Sequence, residues 1–414
     1  MAEMNENAKK KLDNQLKKDL KRGAKKRVRK QVRKQVKKHN LFPVILVVLL
    51  IVAALAALYF FVLKDSALFG FFKNNDGNEG GSTPQNNNAN VQQGVVEDGD
   101  LQIHFIELGN RYAGDCTYIK AGDTDILIDA GSRTSNVQTI KNYVNQYVTD
   151  GKLEYVIVTH AHQDHYAGFT LKNGSIFDAY EVDVIIDFAL SNQTATGTNM
   201  YSKYLAERDE EIAAGATHYT AADCITTGNN VFTLADDITM TVLDSYYYYN
   251  ETDDENNYSV CTLFTYGENN YLFTGDLEAE GEVKLKELND LPHVALFKAG
   301  HHGSKTSSTA VLMAAITPDI VCVTCCAGSD EYTSNKENQF PTQAMIDRVA
   351  PYTDRVYVTT LCIDYSADEI MPMNGNIVVS ANATTVSVKC SASDLILKET
   401  EWFKENRTMP DAWK

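Results

Sequence analysis

"VTHAHQDHYAG", Val158 to Gly168, is the stretch whose reading decides the fold. His160, His162, Asp164 and His165 fall within six positions, directly after the apolar run "LEYVIV". A strand sends alternate side chains to opposite faces, and the turn after it can re-aim them, so donors at this spacing can converge at a strand mouth. Neutral imidazole with carboxylate suits zinc, manganese or iron, and four donors exceed what one ion usually draws from so short a segment. The stretch therefore implies two divalent cations. A surface loop with scattered histidines is the alternative, but five of the nine histidines lie here and in "HHGS", His301 to Ser304.

Working outward, short β-rich runs precede the stretch ("LQIHFIEL", "CTYIKA", "TDILIDAG") and follow it ("NVFTLA", "ITMTVLD", "SVCTLFTYG", "NYLFTGD", "VALFKAG", "IVCVTCC", "RVYVTT"). Helical patterns such as "SNVQTIKNYVNQYV" and "AEGEVKLKELNDL" intervene. Strands carrying helices and one another in two successive halves predict an α/β layered sandwich with a sheet from each half and helices outside. The folded domain is expected over residues 101–390. A tail over residues 391–414 follows, readable as a terminal helix packed by Trp402 and Phe403. The eight cysteines sit mostly in apolar β-like runs, where a buried thiol acts as a small hydrophobe.

The chain of 414 residues carries a net charge of −17, unevenly spread. Residues 1–40 hold 16 of the 38 Lys and Arg but 4 of the 55 Asp and Glu, a local balance of +12 that leaves −29 for the rest. Leu41 to Leu63, "LFPVILVVLLIVAALAALYFFVL", has no charged residue and is long enough to cross a bilayer at about 1.5 Å per residue. It exceeds the core of a cleaved signal peptide and reads as a single transmembrane anchor. The basic flank then stays cytoplasmic, which sends everything after Lys64 to the outer face of the cell membrane. Leu12, Leu16, Leu20, Val28, Val32 and Val36 would give that flank a thin apolar stripe suited to an anionic inner leaflet. Residues 64–100, rich in Asn, Gly and Gln, read as a flexible linker.

"THAHQDHYAG" resembles the HxHxDH signature of the metallo-β-lactamase superfamily, and the similarity runs from Leu101 to about Ser380. "HFIELGNRYAGDCTYIKAGDTDILIDAG" is similar to the opening strands, with Asp129 and Gly131 in the DxG turn. "NNYSVCTLFTYGENNYLFTGDLEAEGE" and "LFKAGHHGSKTSS" resemble the extracytoplasmic hydrolase domain of ComEC-type DNA-uptake proteins, which have many spans where this chain has one. The resemblance implies an αββα sandwich and two divalent metal ions, zinc or alternatively manganese. His160 and His162 would hold one ion, and Asp164 with His165 the other. Asp276 would bridge the pair, and His301 would complete the second ion. His302 is an alternative ligand there, or a proton donor to the leaving group. Asp129 would orient a histidine without touching metal, and Asp164 would also orient the attacking water.

This chain departs from the pattern twice. Many members place another histidine before the bridging aspartate, and here only His218, in "GATHYTAAD", lies in that interval. The ComEC-type His-Pro is replaced by Phe340-Pro341. Ser304, Lys305 and Ser307 flank a predicted helix start, where free N–H groups favour an anion or a capping hydroxyl. Ser259, in "NNYSV", reads as a pocket or strand-start residue. Hydrolysis of a phosphodiester is the leading expectation, by water activated between the ions. Nuclease-like and cell-envelope substrates both fit it, although a charge of −29 opposes a long polyanion such as DNA. A lactonase or β-lactamase activity, or a non-catalytic competence-associated binding module, are the alternatives.

Overall fold

Two faces of alternating apolar residues meet in the computed structural model, which describes residues 99–414. The chain first lays down β1 (Leu101–Phe105), β2 (Thr117–Ala121), β3 (Thr124–Ile128), β4 (Lys152–Val158), β5 (Glu181–Asp187) and β6 (Thr217–Thr220). A second sheet takes β7 (Val231–Ala235), β8 (Ile238–Val242), β9 (Thr262–Tyr266), β10 (Asn269–Phe273), β11 (Leu296–Lys298), β12 (Val321–Ala327), β13 (Val356–Asp364) and β14 (Glu369–Pro372). The chain then returns to the first sheet with β15 (Ile377–Ala381) and β16 (Val386–Cys390). The strand orders are β16-β15-β1-β2-β3-β4-β5-β6 and β14-β13-β12-β11-β10-β9-β8-β7.

Each sheet has a parallel block, β3 to β6 in the first and β10 to β13 in the second. Parallel neighbours need crossover connections, and these bring in helices. α1 (Asn136–Val144) buries Val137, Ile140 and Val144, a stripe at helical spacing, and α2 (Met200–Ala214) buries Tyr204; both join the first sheet's core. α3 (Ala279–Leu288), α4 (Ala310–Ile316) and α5 (Gln343–Val349) press Leu285, Leu312, Met313, Met345 and Ile346 onto Phe297, Val321, Val323, Val356 and Val358. Between the sheets, Phe105 stacks on Phe273 with ring centroids 6.1 Å apart. The layers are helix, sheet, sheet, helix. β12, "VCVTCCA", is buried at every position, as a two-sided parallel strand should be.

The segment after Cys390 belongs to the second core rather than trailing from it. α6 (Glu401–Asn406) seats Phe403 beside Leu397 and Trp413, whose indole N–H donates to Thr353 O at 2.9 Å. Trp402 packs only at the edge, with the Arg407 guanidinium 4.6 Å from its ring. All eight cysteines are free thiols, six of them buried. The basic segment, the span expected over Leu41 to Leu63 and nearly all of the linker lie outside the described residues. Among the described residues no helix is long and apolar enough to cross a membrane.

Candidate metal centre

The C-terminal ends of the two parallel blocks lie on one side of the sandwich, and the candidate residues leave from them. Asp129 follows β3, Thr159 to His165 follow β4, Asp276 follows β10, and His301 with His302 follow β11. Backbone conformation is unusual there. Asp129, His301 and His302 have φ of 59°, 46° and 54°, the left-handed region that side-chain-bearing residues avoid. Gly275, immediately before Asp276, has φ 54°, and a Cβ on it would lie 2.8 Å from Ser259 Oγ and 3.0 Å from Thr159 Cβ. The glycine of "TGD" thus lets the second sheet approach the first closely at this point.

Asp164, His165, Asp276 and His302 present donor atoms that all lie within 4.8 Å of one another. His165 Nε2 is 3.1 Å from Asp276 Oδ2. His302 Nε2 faces Asp164 Oδ2 at 3.3 Å and Asp276 Oδ2 at 3.2 Å, yet makes no hydrogen bond of proper geometry; Asp276 Oδ1 has no hydrogen bond either. Buried polar atoms left in this state are costly unless something else satisfies them. Two imidazoles and two carboxylates converging on one point match the donor chemistry of a divalent cation.

Each of these imidazoles is fixed from behind. Asp129 Oδ2 lies 2.8 Å from His165 Nδ1, and the same carboxylate accepts from Thr159 N and Thr159 Oγ1, both at 2.8 Å. His302 Nδ1 is 2.9 Å from Thr324 O and 3.2 Å from Asp115 Oδ1. Burial opposes the charged forms of His165 and His302, but Asp276 with Asp129 in the first case, and with Asp115 in the second, push both pKa values well up. Burial likewise opposes ionisation of Asp276, but His165 and His302 outweigh it and hold the carboxyl well below its usual range. Asp164 is depressed too, burial being outweighed chiefly by its contact with His302.

His160 and His162 form a separate pair, with His160 Nε2 and His162 Nδ1 3.0 Å apart. His160 is fully buried, and its ring rests near Thr159 Oγ1 at 3.1 Å and Ser259 Oγ at 3.4 Å, so Ser259 is a contact of the site. Burial, helped by nearby His165, pushes the His160 pKa well down, which leaves the ring neutral and able to donate a lone pair. His162 lines a cleft of 720 Å³ together with Asp253, Asp254, Glu278 and Glu280. That wall is strongly acidic.

His301 and His302 are placed differently. His302 points inward into the four-donor group, whereas His301 Nε2 stands 4.0 Å from Asp276 Oδ2 and His301 Nδ1 is 3.1 Å from Glu278 Oε1. Glu278 is held near a pKa of about 2, its partial burial being outweighed by His301.

The helix start expected to receive an anion is otherwise engaged. α4 is capped by Thr309, and the Glu282 carboxylate accepts from Ser308 N at 2.5 Å and Thr309 N at 2.7 Å. Ser307 is buried, with Oγ donating to Leu277 O at 2.7 Å. Ser304 Oγ lies 2.9 Å from Thr306 Oγ1, and Lys305 Nζ donates to Asn338 Oδ1 at 3.0 Å. The two N–H groups just ahead of α4 are therefore taken by the protein's own carboxylate. His218 stands in an ion pair away from the four-donor group. Its Nε2 lies 2.7 Å from Asp187 Oδ1, and Asp187 also binds Tyr204 and Arg208, each at 2.8 Å.

Three participants were not singled out in the sequence. Asp115, Lys298 and Tyr332 surround the four-donor group: Lys298 Nζ pairs with Asp115 Oδ2, and Tyr332 Oη donates to Asp164 Oδ2 at 3.0 Å. Lys298 left a signal, a lone charge inside the apolar run "HVALFKAG". Asp115 and Tyr332 sit in loops with no local pattern. Phe340, where the ComEC-type pattern has a histidine, packs at a tilt beside His301, His302 and Tyr332, with ring centroids 5.5 to 6.1 Å away.

Residues 109–171, which include the histidine-rich stretch, match the family model for the metallo-beta-lactamase superfamily. Over 264 residues the chain is 26% identical to Recombination protein 2 of Haemophilus influenzae, a match covering 63% of this chain and 28% of that protein. The chain thus spans little more than a quarter of that relative. Among solved structures, the metallo-beta-lactamase fold protein YhfI of Bacillus subtilis is matched over 70% of this chain and 99% of its own, with 12% identity and a TM-score of 0.39. A diphosphatase of the PhnP family is matched over 63% and 94%, with 9% identity and a TM-score of 0.34. The histidine motif lies inside the family match and the similarity to Recombination protein 2 extends well beyond it, so the chain is similar to the metallo-beta-lactamase superfamily through its metal-binding stretch.

Proposed function

We propose that the protein is a hydrolase that uses two divalent cations to cleave phosphodiester bonds in small substrates. The observation that carries this reading is the buried His302 Nε2, without a hydrogen bond, facing Asp164 and Asp276 beside His165. Asp164, His165, Asp276 and His302 would hold the inner ion, and His160 with His162 the outer one, Asp276 being shared. Bound cations would lower the proton affinity of a water and accept the negative charge that develops on the attacked ester. Zinc suits the imidazole-rich donor set, with manganese as the alternative.

The remaining roles fall to this chain's own side chains. Asp129 and Asp115 orient His165 and His302 through Nδ1, leaving Nε2 to point at the centre. His301, braced by Glu278 at the rim, would hand a proton to a departing oxygen. The acidic cleft beside His162 repels a long polyanion, which favours a short diester, such as one decorating a cell-envelope polymer, over DNA. Leu41 to Leu63 would anchor the enzyme with this domain outside the cell. One observation favours a second reading, an uncharged ester or lactam: the Glu282 carboxylate takes the Ser308 and Thr309 N–H groups just ahead of α4, next to the serines expected to meet a phosphate group.

The test is a side-by-side assay of metal-stripped protein, reloaded with Zn²⁺ or Mn²⁺. Its substrates are bis-p-nitrophenyl phosphate, single- and double-stranded DNA, a lactone and a β-lactam. Turnover of the small diester above the others supports the proposal. Lactam or lactone turnover alone would replace it with the second reading, and no turnover with any ion would leave a binding module.

A further inference from the structure

Lys298 closes β11, and only 3% of it is exposed. A lysine normally leads its ammonium back to water along its aliphatic stem. This one ends inside the sandwich, paired with Asp115 Oδ2, 4.0 Å from Asp276 Oδ1 and donating to Ala299 O at 3.2 Å. Asp115 in turn accepts from Thr324 Oγ1 and lies against His302 Nδ1. Four buried or nearly buried carboxylates, Asp115, Asp129, Asp164 and Asp276, crowd this region. Among the described residues no other lysine or arginine forms an ion pair with any of them.

We infer that Lys298 is a tethered counter-ion of the metal centre, a fixed positive charge that keeps the carboxylates assembled and holds Asp115 against His302 before any ion binds. The inference rests on reading the four-donor group as a metal site. Its physical content is a pair of opposite effects. The ammonium repels an incoming cation at short range, whereas its partner Asp115 attracts that cation and aims His302 at it. Removing either member should therefore move metal affinity in opposite directions, which a packing role for the lysine stem would not do.

The full chain, stripped with EDTA, is titrated with Zn²⁺ against a chromophoric chelator, and thermal unfolding is followed with and without Zn²⁺. Lys298→Met, close in volume, should lower the Tm of the metal-free protein, tighten Zn²⁺ binding by about tenfold or more, and enlarge the Zn²⁺-induced rise in Tm. Asp115→Asn should weaken Zn²⁺ binding by roughly 10- to 100-fold. The double variant restores the charge balance and should recover at least half of that loss on a logarithmic scale. Should Lys298→Met fail to fold, the recovery from Asp115→Asn to the double variant carries the test. The inference is overturned if the wild type binds Zn²⁺ but both single variants weaken it, if Lys298→Met leaves affinity unchanged, or if the double variant recovers nothing. A wild type that binds neither Zn²⁺ nor Mn²⁺ would instead remove the metal-site reading, and this inference with it.

Discussion

The two histidine groups of the centre are built differently. The inner donors are buried or nearly so, come from both sheets, and are braced by Asp129, Asp115, Thr324 and Tyr332. The outer pair comes from one loop, and His162 borders the open cleft. Pre-organisation is thus concentrated where ordering two imidazoles has been met by backbone strain and hydrogen bonds, and it is thinner where substrate must enter. The inner position should load first and hold tightly. The outer one should be weaker and exchange more readily.

The strongest way to break this comparison is to remove the carboxylate common to both positions. Asp276→Asn should lower hydrolysis by on the order of 10³ and reduce bound zinc below one per chain, read by metal analysis after dialysis. Retention of two ions would show that the positions do not share it. His162→Ala should also lose hydrolysis, by about 10²-fold or more, while keeping one ion and a nearly unchanged Tm. If that variant loses both ions, the inner position is not independent.

Removing a brace is expected to act more gently. Asp129→Asn should weaken zinc binding about 10- to 100-fold with the fold retained, measured by chelator competition. Tyr332→Phe deletes one hydrogen bond to Asp164 and should change affinity only a few-fold. A larger loss there would move Tyr332 from brace to indispensable partner.

Acidity sharpens the contrast further. In the metal-free protein His165 and His302 have pKa values raised above the unfolded value of about 6.5, so their contribution to stability is complete below that pH and is lost as pH rises through the folded values. Asp164 and Asp276 are depressed, so theirs is present above about 3.9 and is lost as pH falls through the folded values. Through these groups, the metal-free Tm should be highest between roughly pH 4 and 6.5 and decline above. Because zinc must displace protons from both rings, its stabilising effect should grow over the same rise. Thermal scans from pH 4.5 to 9, with EDTA and with zinc, check both slopes. A metal-free Tm that climbs above pH 6.5 contradicts the coupling.

Much of the fold was legible because periodicity and turn residues are local signals. The apolar runs around Val156, Leu272 and Val323 marked strands, and the apolar spacing of Val137, Ile140 and Val144 marked a helix. The layered sandwich followed from their order. Donor residues were legible where several shared one short segment, as at His160 to His165. What the sequence left open was fixed by distant contacts. Which of His301 and His302 faces inward depends on two successive left-handed residues. Asp115 acquires meaning only when Lys298 arrives from the other sheet. The N–H groups just after Ser307 are taken by Glu282, which comes from α3, a partner no local pattern reveals.

The division of donors between the sheets has a mechanical consequence. Asp164 and His165 ride on the first sheet, Asp276 and His302 on the second, so an ion gripped by all four would act as a clasp across the sandwich. Coordination energy would then double as adhesion between the layers, and prying them apart would require releasing the cation. Chelators should accordingly loosen the whole seam between the sheets, seen as faster amide exchange in β4 and β10 alike, and not merely silence one corner of it.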